Sequence, residues 1–211
     1  MTADEYLTFI VEQIHSTVAA TVDDEGLPVT CVIDIMYSDE NSLYFLTAKG
    51  KNFYKRLKAR GYIALSGFKG KDTMSCTAIS VRGKVVETGS EMLPLLFEKN
   101  PYMNEIYPTQ ESTAALTVFR IYDGSGEWFD LSKKPVERAV FTFGNAKVNE
   151  GGYFVTEECI GCGRCFSACP QSCIEITDGH AVINPQNCLH CGNCMNVCPV
   201  GAVKTRQKYV K

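Results

Sequence analysis

The sequence predicts an α+β protein in two parts: a six-stranded antiparallel β-barrel with helices, followed by a small cysteine-rich α+β domain. Two observations support this division. Runs rich in β-branched and aromatic residues, separated by turn signals, fill the chain as far as Tyr122. Nine of the eleven cysteines lie between Cys159 and Cys198. The expected boundaries are a barrel domain over 1–132, a linker over 133–152 and a small domain over 153–211.

The order of the predicted elements excludes a doubly wound nucleotide-binding fold. Thr2-Ala3-Asp4-Glu5 has the form of a capping box that begins a helix. Two more helices are predicted over 52–60 and 91–99. Helices and strands do not alternate, and no Gly-x-Gly-x-x-Gly follows a strand. The six predicted strands cover 16–21, 28–37, 42–47, 62–68, 77–88 and 114–122. Trp128 and Phe129, which follow Gly124-Ser125-Gly126, would form a final strand.

Charge and hydropathy exclude several classes of function. The formal net charge is -3 with no long run of either sign, so the chain has no electrostatic footprint for nucleic acid or an anionic membrane. No stretch approaches the roughly 18 apolar residues that span a bilayer. Asp4 and Glu5 stand where a secretory signal would carry positive charge. The expected location is therefore the cytoplasm.

The crowded cysteines form two runs with the spacing C-x2-C-x2-C-x3-C-P. The first run is Cys159, Cys162, Cys165 and Cys169 before Pro170, and the second is Cys188, Cys191, Cys194 and Cys198 before Pro199. Each cysteine of the second run lies 29 residues after its counterpart in the first, which indicates an internal duplication. In such runs three thiolates from one loop bind one face of a 4Fe-4S cubane, and the fourth ligand comes from the other run.

The spacing therefore assigns two clusters, each with a ligand from both runs. Cluster one is expected on Cys159, Cys162, Cys165 and Cys198, and cluster two on Cys188, Cys191, Cys194 and Cys169. The alternative is a pair of zinc sites with four cysteines each, which would need neither the third cysteine of a run nor the trailing Cys-Pro. Cys173 has no place in the pattern and is expected to be a small buried residue.

This cysteine-rich segment resembles the bacterial two-cluster ferredoxins over about fifty residues. The resemblance implies one-electron transfer at low potential.

Three stretches of the larger domain resemble a second family. They are Asp24-Glu25-Gly26-x-Pro28, the run from Leu43 to Lys51, and Val81-Arg82-Gly83-Lys84. With them, the chain from Thr17 to Asp130 resembles the pyridoxamine 5'-phosphate oxidase-like FMN-binding split barrels. The resemblance implies a split barrel and a homodimer with FMN at the subunit interface.

Carried over by position, this resemblance implies two groups of flavin-binding residues. Thr47, Lys49, Lys51 and Asn52 would hold the phosphate, and Thr30, Cys31, Val32 and Ile33 would line the ring. A turn that offers a hydroxyl, ammonium groups and free N–H groups at the start of a helix suits an anion. The alternative is that Lys49 and Lys51 are solvated lysines of a surface turn, and that Cys31 only packs in the barrel.

A flavin can accept two electrons as hydride and release them singly, whereas each cubane passes one. The first hypothesis is therefore an FMN-dependent oxidoreductase that exchanges electrons with a small molecule, NAD(P)H or a redox partner protein. No Arg-x-x-x-Arg follows Trp128, so pyridoxamine phosphate oxidation is not expected, and no motif identifies a catalytic acid. The alternatives are a non-enzymatic electron relay, or a barrel that holds a deazaflavin or haem.

Overall fold

The computed structural model describes residues 1–147 and 151–206. The chain divides into two compact units: Met1–Lys71, Ala78–Glu127 and Phe141–Lys147 form the first, and Asp72–Thr77, Trp128–Val140 and Val148–Lys211 form the second. The strands of the large sheet are β1 (Ser16–Val22), β2 (Pro28–Asp34), β3 (Tyr37–Asp39), β4 (Ser42–Ala48), β5 (Tyr62–Lys69), β6 (Thr77–Gly89), β7 (Leu116–Asp130) and β8 (Glu137–Phe143). The helices before β7 are α1 (Ala3–Phe9), α2 (Asn52–Arg60), α3 (Leu93–Lys99), α4 (Met103–Ile106) and α5 (Gln110–Thr113).

The eight strands form one sheet in the order β2-β1-β5-β6-β7-β4-β3, with β8 paired to β7 outside this path. The pairs β1–β2, β1–β5, β3–β4 and β4–β7 are antiparallel. Strand β2 is therefore an edge strand. The α+β class predicted from the sequence is confirmed.

The capping box at the N-terminus forms as the sequence predicts. The Thr2 side chain accepts a hydrogen bond from the Glu5 N–H, and the Glu5 carboxylate accepts one from the Thr2 N–H. These two bonds satisfy amides that the first helical turn leaves unpaired. Helix α1 continues into a π-helical turn, Ile10–Ile14, and buries Tyr6, Leu7 and Ile10.

Strand β4 is covered on both faces, which explains its nearly continuous apolar sequence. Tyr44 joins a buried cluster with Leu96 of α3 and Met103 of α4. On the opposite face Phe45 stacks on Phe119 of β7 at 5.7 Å between ring centroids. The strand leads directly into the turn before α2, so a rigid scaffold positions that turn.

The sheet has two strands more than the six expected. The segment predicted as one strand over 28–37 is broken, because the amides of its buried residues bond elsewhere. The Ile35 N–H donates to the His15 carbonyl group, and the Met36 N–H donates to that of Tyr44. The second additional strand, Glu137–Phe143, lies within the segment 133–152 that was expected to be the linker.

The expectation that the sixth strand ends at Tyr122 and that a separate strand contains Trp128 and Phe129 is wrong. Gly124 and Gly126 both lie within β7, which continues to Asp130. A Cβ at Gly124 would collide with the ring of Phe143, and one at Gly126 would collide with the ring of Phe141. The glycines therefore leave room for two aromatic rings of β8, and Trp128 and Phe129 extend β7 instead of beginning a new strand.

The second unit contains the cysteine-rich segment. Its elements after β8 are β9 (Tyr153–Val155), α6 (Arg164–Ala168), β10 (Ile174–Thr177), β11 (His180–Ile183), α7 (Asn193–Asn196) and β12 (Val203–Thr205). Strand β9 pairs antiparallel with β12, and β10 pairs antiparallel with β11. Residues 148–150 of the expected linker and 207–211 of the expected small domain lie outside the described residues. None of the helices in 1–147 or 151–206 combines the length and apolar character needed to cross a bilayer.

Candidate functional site: two cysteine-lined cavities and a basic turn

Four cysteines line a cavity in the second unit, which we call the first cavity. Its walls include Cys159, Cys162, Cys165 and Cys198. The first three come from the first run and the fourth comes from the second run. The structure therefore brings together the four thiols that the spacing assigns to cluster one.

A second cavity has the converse composition. Its walls include Cys188, Cys191, Cys194 and Cys169. The exchange of one cysteine between the runs agrees with the duplication in the sequence. Each cavity has one exposed cysteine, Cys162 in the first and Cys191 in the second.

Glycines shape the loops around both cavities. Gly161 has φ +64°, and a Cβ there would collide with the Gly179 carbonyl group, whose carbon atom would lie 2.9 Å away. The chain at this point therefore comes closer to its neighbour than a side chain would allow. Gly163 and Gly192 occupy equivalent places in the two runs, each immediately before a short helix, α6 or α7.

Backbone amides point at the first cysteine of each run. The N–H groups of Gly161 and Ala181 donate to Cys159 Sγ at 3.5 and 3.4 Å. The N–H of His190 donates to Cys188 Sγ at 3.4 Å. Such donors stabilise sulfur carrying negative charge, which is the form that binds a metal or cluster.

Several backbone N–H groups surround the last cysteine of each run. Burial alone would raise the pKa of Cys198, but the amides of residues 200–203 lower it below its usual value. One of them, the Ala202 N–H, lies 3.2 Å from the sulfur. Burial likewise opposes the amides of residues 171–173, which lower the pKa of Cys169. Both sites favour the thiolate, so the cysteine that crosses to the other cavity is suited to be a ligand.

Burial raises the pKa of Cys165 and of Cys194, which are buried cysteines of the two runs.

The ninth thiol, Cys173, is 6% exposed, as expected of a buried residue. It also lines the second cavity, and its Sγ lies 3.4 Å from Cys169 Sγ. Burial and this contact raise the pKa of Cys173 to about 12, so it keeps its proton.

In the first unit, the residues expected beside a flavin ring lie on the edge strand β2. Their side chains alternate: Thr30 and Val32 are exposed on one face, and Cys31 and Ile33 are half-buried on the other. A flat ring lying on one face of β2 can contact one of these pairs but not both. The edge position leaves this strand accessible to a ligand.

The residues expected at the flavin phosphate fall into two environments. Thr47 is 4% exposed and lies on the same face of β4 as Phe45. Lys49, Lys51 and Asn52 are exposed, in the turn after β4 and at the first residue of α2. The turn is fixed by its backbone, because the Lys49 N–H donates to the Ala115 carbonyl at 2.9 Å. Only the three exposed side chains can reach a ligand in the solvent.

Arg56 is a candidate that the sequence analysis missed. Its Nε donates to Thr21 Oγ1 at 2.8 Å, which fixes the guanidinium group beside β1. Burial raises the pKa of Cys31, and the positive charges of Arg56 and Lys51 oppose this rise, so Cys31 lies near both charges. Arg56 follows Asn52 by four residues and shares its face of α2. That spacing is the signal that could have identified it.

Comparison with known families supports the two-part reading of the chain. A protein-family model described as a 4Fe-4S dicluster domain matches residues 158–202, which include every cysteine of both runs. No curated protein matches this chain. Residues 158–202 are a 4Fe-4S dicluster domain, as the spacing predicts.

Several solved structures share the fold of the larger part. A NimC/NimA family protein from Clostridium acetobutylicum matches with a TM-score of 0.54 and 17% identity, over 66% of this chain and 90% of that one. A second C. acetobutylicum protein, related to general stress protein 26 of B. subtilis and of the pyridoxinephosphate oxidase family, matches with a TM-score of 0.51 and 15% identity, over 66% and 95%. A heme binding protein from Mycobacterium smegmatis matches with a TM-score of 0.51 and 10% identity, over 66% and 58%.

These likenesses show the fold of the first unit, which is a split barrel. The chain therefore combines a split barrel with a 4Fe-4S dicluster domain, and both resemblances stated from the sequence are confirmed at the level of fold and domain.

Proposed function

We propose that this protein is an iron–sulfur flavoprotein oxidoreductase. It would transfer electrons between two 4Fe-4S clusters and FMN, and on to or from a small molecule or a partner protein. The observation that carries the proposal is the pair of cavities, each of which is lined by four thiols drawn from both runs. The same chain contains a split barrel in which helix α2 begins beside lysine residues. Bound FMN would supply hydride chemistry, and the clusters would supply single electrons.

The cysteines fit a polynuclear cluster better than a single ion. A zinc site with four cysteine ligands needs neither the third cysteine of a run nor the Cys-Pro that follows it. Here each cavity takes three cysteines from one run and the fourth from the other, which is the arrangement that a two-cluster module requires. Cys159, Cys162, Cys165 and Cys198 would hold cluster one, and Cys188, Cys191, Cys194 and Cys169 would hold cluster two.

The start of α2 would bind the flavin phosphate. Within residues 1–147, no side chain caps this helix at Lys51, so the amides of its first turn are open to an anion. Lys51 and Arg56 add positive charge beside those amides, and Lys49 lies in the turn that leads to them. Cys31, half-buried near both charges, would then lie on the side of β2 that faces the flavin.

Replacing Arg56 or Lys51 with alanine should weaken FMN binding and spare riboflavin binding. Each variant loses a charge-assisted contact to phosphate, which is worth about 1.5–3 kcal/mol, or roughly a 10- to 100-fold increase in Kd. Fluorescence titration of the flavin-free protein with both flavins measures the two constants. Lys99→Ala is the matched control, because Lys99 is an exposed lysine at the far end of α3. Equal weakening for riboflavin would count against a phosphate site at α2.

We also propose a homodimer formed through the outer face of β2, β1 and β5. Ile63 and Leu65 of β5 are buried, so alternate residues of these strands face outward. This outer face carries five large apolar side chains that are 40% to 70% exposed: Val18, Val22, Val32, Tyr62 and Phe68. Val18 and Val32 are directly paired across the two strands. A contiguous apolar surface of this kind is typical of a protein–protein interface.

Lysine substitutions at Val32 or Phe68 are expected to dissociate this dimer. Each substitution removes about 1.5–3 kcal/mol of favourable free energy from apolar burial per subunit and places a charge in the interface. The Kd of the dimer should therefore rise at least about 10-fold. Analytical ultracentrifugation of the full chain measures the change. Ile106→Lys is the control, since Ile106 is 59% exposed in α4. A wild-type monomer would overturn the proposed face.

Anaerobic purification followed by iron, sulfide and flavin assays tests the function as a whole. The expected result is protein that contains both clusters and releases FMN on denaturation. Turnover of NAD(P)H with an artificial acceptor would support the oxidoreductase, whereas loaded protein without any turnover would indicate the relay. Extraction of a deazaflavin or haem, or a protein that holds zinc in place of iron, would contradict the proposal.

A further inference from the structure

The two cluster cavities differ at positions that the duplication makes equivalent. The offset of 29 residues relates Gln171 to Val200 and Cys173 to Ala202. Gln171 and Cys173 line the second cavity, and Val200 and Ala202 line the first. The second cavity therefore has two polar side chains where the first has only apolar ones.

Cys173 can donate a hydrogen bond to a ligand of the second cavity. Its Sγ lies 3.4 Å from Cys169 Sγ. A Cys169 sulfur that binds iron carries no proton, so the S–H of Cys173 must be the donor. Backbone amides surround the last cysteine of each run in both cavities. The thiol is therefore an additional donor, and the methyl group of Ala202 offers no equivalent. At the first cysteine of each run, the amides of Gly161 and Ala181 donate to Cys159, and that of His190 donates to Cys188, so the first cavity has one more backbone donor there.

Gln171 supplies the second difference. The residue is 8% exposed, and its Oε1 has no hydrogen-bond partner among the described residues. A carboxamide can exchange the places of its oxygen and NH2 group by rotation, and the neighbouring sulfurs are acceptors. Beside a cluster, the orientation that presents NH2 to sulfur is favoured, because it pairs a buried polar group.

Solvent exposure differs in the opposite direction. Each cavity has one exposed ligand, Cys162 or Cys191, but Cys159 of the first cavity is half-buried where its counterpart Cys188 is buried. Arg164 of the first run, where the second has Asn193, is exposed, and water screens its charge.

We infer that the cluster of the second cavity has a higher reduction potential than the cluster of the first. Hydrogen bonds to the sulfurs stabilise the reduced cluster, which carries one more negative charge. An electron that arrives on cluster one would then pass to cluster two: one cubane is oxidised by one electron, the other is reduced by one, and no proton moves. This inference rests on the proposed cluster function, and it assigns the direction of electron flow within the module.

A redox titration of the full chain, followed by electron paramagnetic resonance, tests this order. Wild type should show two potentials, with the higher one sensitive to the two polar side chains. Cys173→Ala and Gln171→Val introduce apolar side chains, as at the first cavity. Each should lower the higher potential enough to change the ratio of reduced to oxidised cluster about tenfold at a fixed potential, or 59 mV, and leave the lower potential in place.

Two further variants separate a hydrogen bond from a packing effect. Cys173→Ser keeps a donor and should retain most of the wild-type potential. Val182→Ala changes a residue of β11 that is 52% exposed and should shift neither potential. Coincident wild-type potentials, or a shift confined to the lower one, would overturn the inference and leave the cluster function intact. Absence of any reduced-cluster signal would overturn both.

Discussion

The substitution Cys198→Ser is expected to remove the cluster of the first cavity, although this cysteine belongs to the second run. Cys198 lines the first cavity with Cys162, and its sulfur lies in a group of amides that favours the thiolate. Loss of this ligand should remove about half of the iron and sulfide per chain. Cys76→Ser, which changes a cysteine of the same unit outside both runs, should keep the full content. Colorimetric iron and sulfide assays on anaerobic protein give the result.

Double variants distinguish ligation across the runs from ligation within each run. If Cys162 and Cys198 serve the same cluster, their double serine variant should lose no more iron than either single variant. Serine at Cys191 and Cys198 together should remove both clusters, because these two line different cavities. Retention of half the iron in the latter variant would show that each run binds its own cluster.

Alanine at Gly124 is expected to destabilise the split barrel strongly. A Cβ there would collide with the buried ring of Phe143 and would lie 2.7 Å from the Arg82 carbonyl oxygen, which is part of the neighbouring strand. Neither group can move away cheaply, so the cost should reach about 1–3 kcal/mol or more. For a chain of this size the melting temperature should fall by roughly 2–4 °C for each kcal/mol.

Gly50→Ala is the matched control for this prediction. Gly50 lies in the turn after β4, and a Cβ there would meet no atom within 4 Å. Circular dichroism during heating should give the control the same Tm as wild type. If the Gly124→Ala protein has the same Tm as the control, the Phe143 ring does not occupy the space above the glycine.

The sequence predicted the features that depend on short-range chemistry. The Thr2–Glu5 capping box and the bounds of α2 are as expected, because capping and helical periodicity involve neighbours in the chain. The duplicated spacing likewise predicted which thiols line each cavity. The last cysteine of each run lines the other cavity, and this exchange can be predicted because the two runs repeat the same spacing.

Features that depend on distant partners could not be predicted in this way. The segment with Gly124 and Gly126 was not predicted as part of a strand, and only the rings of β8 show why β7 needs glycine at both places. The break at Ile35 depends on a carbonyl group 20 residues earlier, at His15. Gln171 has no motif at all, and its position beside the second cavity becomes apparent only in three dimensions.

The walls of the first cavity draw on residues from Val155 to Val203, and those of the second draw on residues from Tyr153 to Cys194. Neither cavity can form before residues of both runs have been synthesised. While the ribosome is still synthesising the second run, the first offers only three thiols of its set. Insertion of either inorganic core therefore has to wait until translation has passed the second run.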